Sequence, residues 1–298
     1  MDLNNMTALV CTFARAYHYK NNKYRIFSDN LAQEILTEEE YKLISDSLVQ
    51  GISFFNQPSL KIDDPLRWIV DNKISPSVLL RSSFCEHALS NRVRFNCEQY
   101  IILASGYDTF AYRNKFKNLK VYEIDKPAII LDKIKRVKNL KSDALVEYLK
   151  CDFNNEDLEN ALLNSTFNND KEAFVSLLGI SYYLSKEEFS NLLSKLSNII
   201  CHNSSIVFDY QNNVYSIEAT QNEKLAYSAK EEMKSKYTYD EIEEMLSNNG
   251  FLIYEHMNEE DMNITYLDKY NLLNPRHKIK APKSVSYVLA VKSNRLHW

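Results

Sequence analysis

Acidic side chains stand where three successive apolar runs of the sequence end. Run 99–104 leads into a turn with Gly106 and Asp108, run 119–123 closes on Glu123 with Asp125 just beyond it, and run 145–150 precedes Asp152 and Phe153. If these runs are parallel strands, their carboxyl ends meet at one edge of a sheet and the acids converge. A carboxylate accepts from both hydroxyls of a vicinal diol, and an aromatic ring stacks on a base. The pattern favours a nucleoside ligand, although each acid taken alone is more often a cap or a solvated charge.

The turn that follows the first run bears on the charge of that ligand. It reads Ala104, Ser105, Gly106, Tyr107, Asp108, Thr109 and holds one of the chain's four glycines. Gly106 lets the backbone approach a ligand where a Cβ would clash. A dinucleotide site needs small residues that seat a pyrophosphate, and the acid at Asp108 would repel one. The turn therefore suits a cationic ligand such as S-adenosylmethionine, while the plainer interpretation is a tight turn that caps the next helix.

The pattern of hydrophobic residues changes near residue 95. Helical patterns dominate before it, at 6–19, 28–36, 38–50 and 76–90, and Ser28 or Asp29 is a candidate cap of the second. After it, seven strands are predicted at 99–104, 119–123, 145–150, 173–178, 205–209, 251–256 and 284–292. The intervening helices are predicted at 127–138, 156–163, 186–200, 238–249 and near 264–273. This alternation predicts a doubly wound, mostly parallel seven-stranded sheet in residues 96–298, with the last strand antiparallel beside its predecessor and residues 1–95 as a helical cap of the same unit.

Composition narrows the classes of partner. The net charge of −4 over 298 residues gives no global basic field, so a dedicated nucleic-acid binder is not expected. No apolar run reaches the roughly 20 residues of a membrane span, and the first residues lack the basic start of a signal peptide. The five scattered cysteines form no C-x-x-C pair, which is typical of reduced thiols in the cytoplasm. The six histidines show no metal-ligand spacing, so no metal site is assigned.

Five segments of the chain carry a resemblance to a known family: LASGYDTFAYR (103–113), YEIDKP (122–127), RSSFCE (81–86), LGISYYL (178–184) and FDY (208–210). Through them the chain resembles the S-adenosylmethionine-dependent methyltransferases that include leucine carboxyl methyltransferase and bacterial polyketide O-methyltransferases. The family patterns to which they are similar are L-G-A-G-x-D-T-R-x-Y-R, Y-E-V-D-x-P, R-T-x-F-x-D and E-G-x-x-x-Y-L. The resemblance runs from about residue 7 to the end of the chain and implies a class I, Rossmann-like methyltransferase fold.

The resemblance also implies roles for individual residues. Arg81 would bind the carboxylate of S-adenosylmethionine, Gly106 would pack on its methionine portion, Asp125 would hold the ribose, and Asp152 with Phe153 would hold the adenine. Three positions depart from the family patterns: Ala104 replaces the first turn glycine, Phe110 an arginine, and Leu178 a glutamate near the amino-acid end of the cofactor. Loss of that carboxylate weakens recognition of the ammonium group.

Residues for the methyl acceptor carry a weaker signal. Arg15 and Tyr17 of the predicted cap, with Tyr182 and Tyr183 after the fourth strand, are candidates to line an acceptor pocket, although core packing is the usual role of such tyrosines. His18 is a candidate base and Tyr183 a second catalytic candidate, and neither is assigned firmly. The acceptor is expected to be a small molecule.

The sequence is therefore compatible with three functions. The first is O-methylation of a carboxylate or hydroxyl with S-adenosylmethionine. The second is a degenerate relative that binds an adenosyl ligand without transferring methyl, as Ala104 and Leu178 suggest. The third is a nicotinamide-dependent reductase built on a similar sheet.

Overall fold

A computed structural model describes residues 6–55, 62–140, 143–152, 157–217, 220–221, 223–224 and 232–293. The strands are β1 (Gln99–Leu103), β2 (Lys120–Asp125), β3 (Val146–Lys150), β4 (Ala173–Leu177), β5 (Ser205–Gln211), β6 (Phe251–Met257) and β7 (Val285–Lys292). They form a sheet of order β3-β2-β1-β4-β5-β7-β6. Strands β1 to β5 pair in parallel, whereas β7 lies between β5 and β6 and is antiparallel to both. The predicted fold class is confirmed, including the antiparallel last strand beside its predecessor.

Helices cover both faces of this sheet. They are α1 (Met6–Asn21), α2 (Ala32–Ile35), α3 (Glu38–Gln50), α4 (Ile52–Phe55), α5 (Pro65–Ile69), α6 (Ser75–Arg94), α7 (Phe110–Arg113), α8 (Pro127–Val137), α9 (Leu158–Leu163), α10 (Lys186–Ile199), α11 (Tyr239–Asn248), α12 (Glu259–Met262) and α13 (Asp268–Leu273). A 3₁₀ turn spans Ser181–Tyr183, and π-helical turns span Val70–Ile74 and Asn263–Leu267. Every residue of β1, β4 and β5 is buried, as expected when both faces are covered.

The two faces of the sheet hold separate parts of the core. On one face, Ile101, Leu103 and Phe208 pack in a cluster that contains residues of α10 and α11. On the other, Tyr100 and Ile102 pack with residues of α6. The alternation of side chains along each strand produces this division.

Most predicted helices differ from the structure by a residue or two at an end, and two of them differ by four. The segment predicted at 28–36 is helical only at Ala32–Ile35, because the Asp29 carboxylate accepts from the backbone N–H groups of Leu31 and Ala32 and so begins the helix later. The segment predicted at 76–90 extends over Ser75–Arg94. Among the described residues, no helix is both long and apolar enough to span a membrane.

Candidate active site

A cavity of about 420 Å³ opens at the carboxyl ends of β1, β2 and β4. The predicted site residues that line it are Arg15, Arg81, Ala104, Ser105, Gly106, Asp108, Asp125, Asp152, Leu178 and Tyr183. Residues of α1 form part of the wall, among them Thr7, Ala8 and Cys11. Its size falls within the range of small-molecule sites, roughly 300–1,000 Å³. The cavity therefore joins the ends of the first, second and fourth strands with the helical region before them.

The turn after β1 forms the floor of the cavity. Ala104 and Gly106 both have left-handed backbone conformations, with φ of 49° and 46°. A Cβ built at Gly106 would lie 3.3 Å from the Cβ of Ala8, so α1 packs directly on the glycine. The Ser105 hydroxyl oxygen is buried and has no hydrogen-bond partner among the residues that the structure describes. Glycine at 106 thus allows both the turn and the close packing of α1, and an unsatisfied polar atom lies at the cavity wall.

Asp125 is fixed at the end of β2 by the same turn. Its Oδ2 accepts from the Gly106 N–H at 2.8 Å and its Oδ1 from the Lys126 N–H at 2.7 Å. Burial raises the pKa of Asp125, and the two backbone N–H groups act in the opposite direction. Because a carboxylate has about four acceptor sites, Asp125 keeps acceptor capacity for a ligand while its orientation is set.

Arg81 reaches the cavity from α6. Its Nη1 donates to the Tyr182 hydroxyl and its Nη2 to the Cys11 sulfur, each at 3.3 Å, and Nη1 lies 3.9 Å from Oδ2 of Asp209. Burial alone would lower the pKa of Arg81, but the neighbouring acidic groups raise it overall, so the side chain is a cation. Tyr182 contacts this cation and is absent from the cavity wall, whereas Tyr183 lines the wall.

Asp152 follows β3 and lines the cavity. Its Oδ2 lies 4.0 Å from the Nζ of Lys126. Phe153, its predicted companion for the adenine, lies outside the described residues. The structure thus brings Asp152 to the same cavity as Asp125 and Arg81.

Glu123 does not reach the cavity, because it points to the sheet face beneath α8. It forms an ion pair with Lys133, and both side chains are fully buried. Burial raises the pKa of Glu123 to about 7, and Lys133 acts against that shift. The geometry argues against a ribose role for Glu123 and leaves Asp125 as the acid at the end of β2.

His18 and Tyr17 also lie away from the cavity wall. The Nε2 of His18 accepts from the Ile26 N–H at 3.0 Å, and its Nδ1 is 3.2 Å from the side-chain nitrogen of Asn22. Burial lowers the pKa of His18 to about 3, so the ring is neutral and its acceptor nitrogen Nε2 is occupied by the Ile26 amide. Tyr17 packs in a cluster with Phe13. This geometry argues against His18 as a base for a substrate in the cavity and gives Tyr17 a packing role.

Asp29 joins the N-terminal helices to the β1 turn. Its carboxylate pairs with Arg15 at 2.8 Å, accepts from the Thr109 hydroxyl at 2.7 Å and lies 3.4 Å from the Nε of Arg113. Arg15 also donates to the backbone oxygen of Tyr107 at 2.8 Å. Thr109 and Arg113 of the sequence motif therefore hold α1 against the turn, a role that the sequence did not reveal.

Sequence reasoning missed two further residues. Ser176 lines the cavity, and its hydroxyl is 2.9 Å from that of the buried Tyr100. Asp209 lies behind Arg81, and the FDY segment was the signal that marked its position. Among the residues described by the structure, no group of three or more His, Cys, Asp or Glu side chains is placed to hold a metal ion.

Comparisons with known proteins bear on the family of the chain. A family model described as leucine carboxyl methyltransferase matches residues 8–197. YktD of Bacillus subtilis (strain 168), named as a candidate S-adenosyl-L-methionine-dependent methyltransferase, is 36% identical over 97% of this chain and 98% of its own length. A Mycobacterium tuberculosis (strain ATCC 25618 / H37Rv) protein with the same description is 29% identical over 59% of this chain and 54% of its own.

Solved structures support the fold alone. A DUF574-family protein of Streptomyces avermitilis MA-4680 superposes with a TM-score of 0.59 at 11% identity, over 94% of this chain and 96% of its own. A candidate methyltransferase of Thermobifida fusca YX gives a TM-score of 0.53 at 13% identity, over 83% and 94%. The family match and the Bacillus relative, which aligns over nearly its whole length, show that the chain belongs to the leucine carboxyl methyltransferase family of S-adenosylmethionine-dependent methyltransferases.

Proposed function

We propose that this methyltransferase moves a methyl group from S-adenosylmethionine to a carboxylate or hydroxyl oxygen of a small molecule. The observation that carries the proposal is the convergence of Arg81, Gly106, Asp125 and Asp152 on one cavity. The five cysteines, which form no disulfide, are consistent with a reducing, cytoplasmic location for this reaction.

The residues of the cavity fit S-adenosylmethionine chemically. A buried guanidinium at Arg81 suits a carboxylate, and the oriented carboxylate of Asp125 suits a ribose diol. The unsatisfied Ser105 hydroxyl offers a further polar contact. The absence of a Cβ at Gly106 lets Ala8 of α1 pack against the turn, which sets the position of the cavity floor. Asp152 would hold the adenine amino group, with Phe153 as its expected partner.

When bound, S-adenosylmethionine supplies an electrophilic methyl group on a sulfonium. The protein's part is to align the acceptor and to exclude water, because such a transfer needs little beyond orientation. The Arg15 guanidinium is tied to Asp29, and the Tyr183 side chain lines the wall, so both shape the space left for an acceptor. A carboxylate acceptor is already a nucleophile and needs no base, which agrees with the position of His18, whose Nε2 accepts from the Ile26 amide away from the cavity wall.

A second candidate function is binding of an adenosyl ligand without methyl transfer. Leu178 favours it, because this residue lines the cavity where the family pattern has a glutamate. Ala104 is weaker support, since it adopts the left-handed turn despite its Cβ.

Calorimetric titration with S-adenosylmethionine, S-adenosylhomocysteine and NAD tests the cofactor. The first two should bind and NAD should not. Transfer is then measured by mass spectrometry over a panel of carboxylic acids, phenols and alcohols. Adenosyl binding without a methylated product across the panel would favour the second candidate, and tight NAD binding alone would contradict both.

The Asp125→Ala variant tests the ribose role. We expect at least about 10-fold weaker binding of S-adenosylhomocysteine, the equivalent of losing hydrogen bonds to a charged group. Asp170→Ala, which removes an exposed carboxylate, is the matched control and should bind like the unmodified protein. Unchanged affinity in a folded Asp125→Ala protein would remove Asp125 from that role.

A further inference from the structure

Asp209 is a buried carboxylate directly behind the cavity wall. It lies on β5 with 1% of its surface exposed. Its Oδ1 accepts from the Gly179 N–H at 2.6 Å, and its Oδ2 is 3.9 Å from the Nη1 of Arg81. The Asp209 side chain therefore contacts both the loop that follows β4, at Gly179, and the Arg81 guanidinium, which faces the cavity.

The guanidinium of Arg81 lies directly against Gly179. A Cβ at residue 179 would come within 2.4 Å of the Arg81 Nη1, and the φ of Gly179 is 74°. Both observations require glycine, because a side chain would displace the guanidinium or strain the backbone. The positions of Arg81 and of the loop that carries Leu178 are thus interdependent, and Asp209 contacts both parts.

Three described side chains contact the Arg81 guanidinium, and Asp209 is the one that carries a carboxylate. The other two contacts, at 3.3 Å each, are to the Tyr182 hydroxyl and the Cys11 sulfur. Asp209 is farther away, at 3.9 Å, but it is the carboxylate of the three and so the counter-charge. A buried cation needs a counter-charge to stay in place. Without Asp209, the guanidinium would be free to turn toward solvent through the cavity.

We propose that Asp209 is a positioning residue that holds Arg81 and Gly179 at the amino-acid end of the cofactor cavity. The proposal rests on the proposed function, since it assigns that end of the cavity to the carboxylate of an adenosyl amino acid. Leu178 makes the role more important, because this chain lacks the acidic side chain of the family pattern there. Asp209 does not line the cavity, so it acts through Arg81 and the loop rather than by touching the ligand.

Two ligands separate this role from a purely structural one. S-adenosylhomocysteine has the amino-acid portion, whereas 5′-methylthioadenosine has the same adenosine and thioether without it. Calorimetry should compare both ligands on the unmodified protein, Asp209→Ala and Asp209→Asn, with circular dichroism to confirm folding. Asp170→Ala serves again as the control at an exposed carboxylate.

For Asp209→Ala we expect S-adenosylhomocysteine to bind at least about 10-fold more weakly, as for a lost contact to a charged group, and methylthioadenosine to change by less than about two-fold. Asp209→Asn should show a smaller selective loss, because its amide oxygen still accepts from the Gly179 N–H. This milder variant decides the question if Asp209→Ala does not fold.

Equal losses for both ligands, or unchanged affinity for S-adenosylhomocysteine, would overturn the proposal. If the unmodified protein binds neither ligand, the proposed function itself fails and this inference fails with it. Selective loss at the amino-acid end with binding of adenosine retained is the outcome that supports Asp209 as a positioning residue.

Discussion

Burial sets the protonation of two side chains that the sequence offers for chemistry. The pKa of His18 is lowered to about 3, so its ring is neutral and serves as an acceptor for the Ile26 amide. The pKa of Glu123 is raised to about 7 by burial, although Lys133 stabilises its charged form. From residue type alone, His18 is a candidate base and Glu123 a candidate ribose ligand. In the structure, His18 accepts from the Ile26 amide and Glu123 pairs with Lys133.

Stability should depend on pH through His18. Below the unfolded-state pKa of about 6.5, the unfolded chain binds a proton that the folded state refuses, so the contribution of His18 to stability falls as the pH falls. Between pH 7.5 and 5.5 this contribution is about 1 kcal/mol. Glu123 acts in the opposite direction over part of this range, because its folded-state pKa is raised.

The variant His18→Gln isolates the histidine, since its amide oxygen can replace the acceptor for Ile26. Urea unfolding at pH 7.5 and 5.5 should show the unmodified protein losing about 1 kcal/mol more than the variant. An identical pH response in the two proteins would contradict a neutral, buried His18.

The left-handed conformation of Ala104 predicts that glycine at this position would change the free energy of unfolding. Ala104 has a φ of 49°, a conformation that costs a residue with a Cβ about 1–2 kcal/mol. Ala104→Gly removes that cost but adds about 0.4–1 kcal/mol of chain entropy in the unfolded state, so a net gain of about 0.5 kcal/mol is expected by urea unfolding. The same change at Ala161, inside α9, should destabilise by about 1 kcal/mol. Destabilisation at both positions would argue against strain at Ala104.

At the scale of elements, the structure depends on how α1 is fastened to the β1 turn. The Asp29 carboxylate accepts hydrogen bonds from the Thr109 hydroxyl and the Arg15 guanidinium, and Arg15 also donates to the Tyr107 carbonyl oxygen. The N-terminal helix is thus held to the same turn that forms the cavity floor. We infer that the helical region before β1 acts as a cap of the cavity.

The Thr109→Val substitution tests this fastening. It keeps the shape of the side chain but removes a hydroxyl that donates to Asp29 and accepts from the Nε of Arg113 at 2.8 Å. Because the site is fully buried, we expect a loss of about 1–3 kcal/mol in the free energy of unfolding. Thr166→Val, at an exposed position, should cost no more than about 0.5 kcal/mol. Equal effects at the two threonines would contradict the assigned role.

At the scale of the whole molecule, sheet topology determines where the cavity forms. In the order β3-β2-β1-β4-β5, the chain leaves β1 toward β2 on one side and leaves β4 toward β5 on the other side. The loops after β1 and β4 therefore diverge and leave a crevice between them. The turn at Gly106 and the loop at Gly179 form the two sides of this crevice.

Ligand binding should therefore stabilise the whole fold. At a concentration of S-adenosylhomocysteine 100 times its Kd, linkage gives about 2.7 kcal/mol, which for a chain of this size raises the Tm by roughly 5 °C. Differential scanning fluorimetry measures the shift, and Asp125→Ala should give a smaller one at the same concentration. A shift of equal size in that variant would place the ligand elsewhere.

The sequence by itself determined the alternation of strands and helices, the antiparallel last strand and the acids at the strand ends. These features are local, since they depend on hydrophobic periodicity and on motifs a few residues long. They identified Gly106, Asp125 and Asp152 as neighbours because parallel strands end at one edge.

Only the tertiary structure decided which side chain of a motif faces the cavity. Glu123 and Asp125 are two residues apart and differ in their surroundings, since one pairs with Lys133 beneath α8 and the other accepts from the Gly106 turn. Asp29 and Asp209 acquire their roles from partners more than 70 residues away in sequence, Thr109 and Arg81 for example. Such contacts depend on how elements pack, and no short stretch of sequence contains that information.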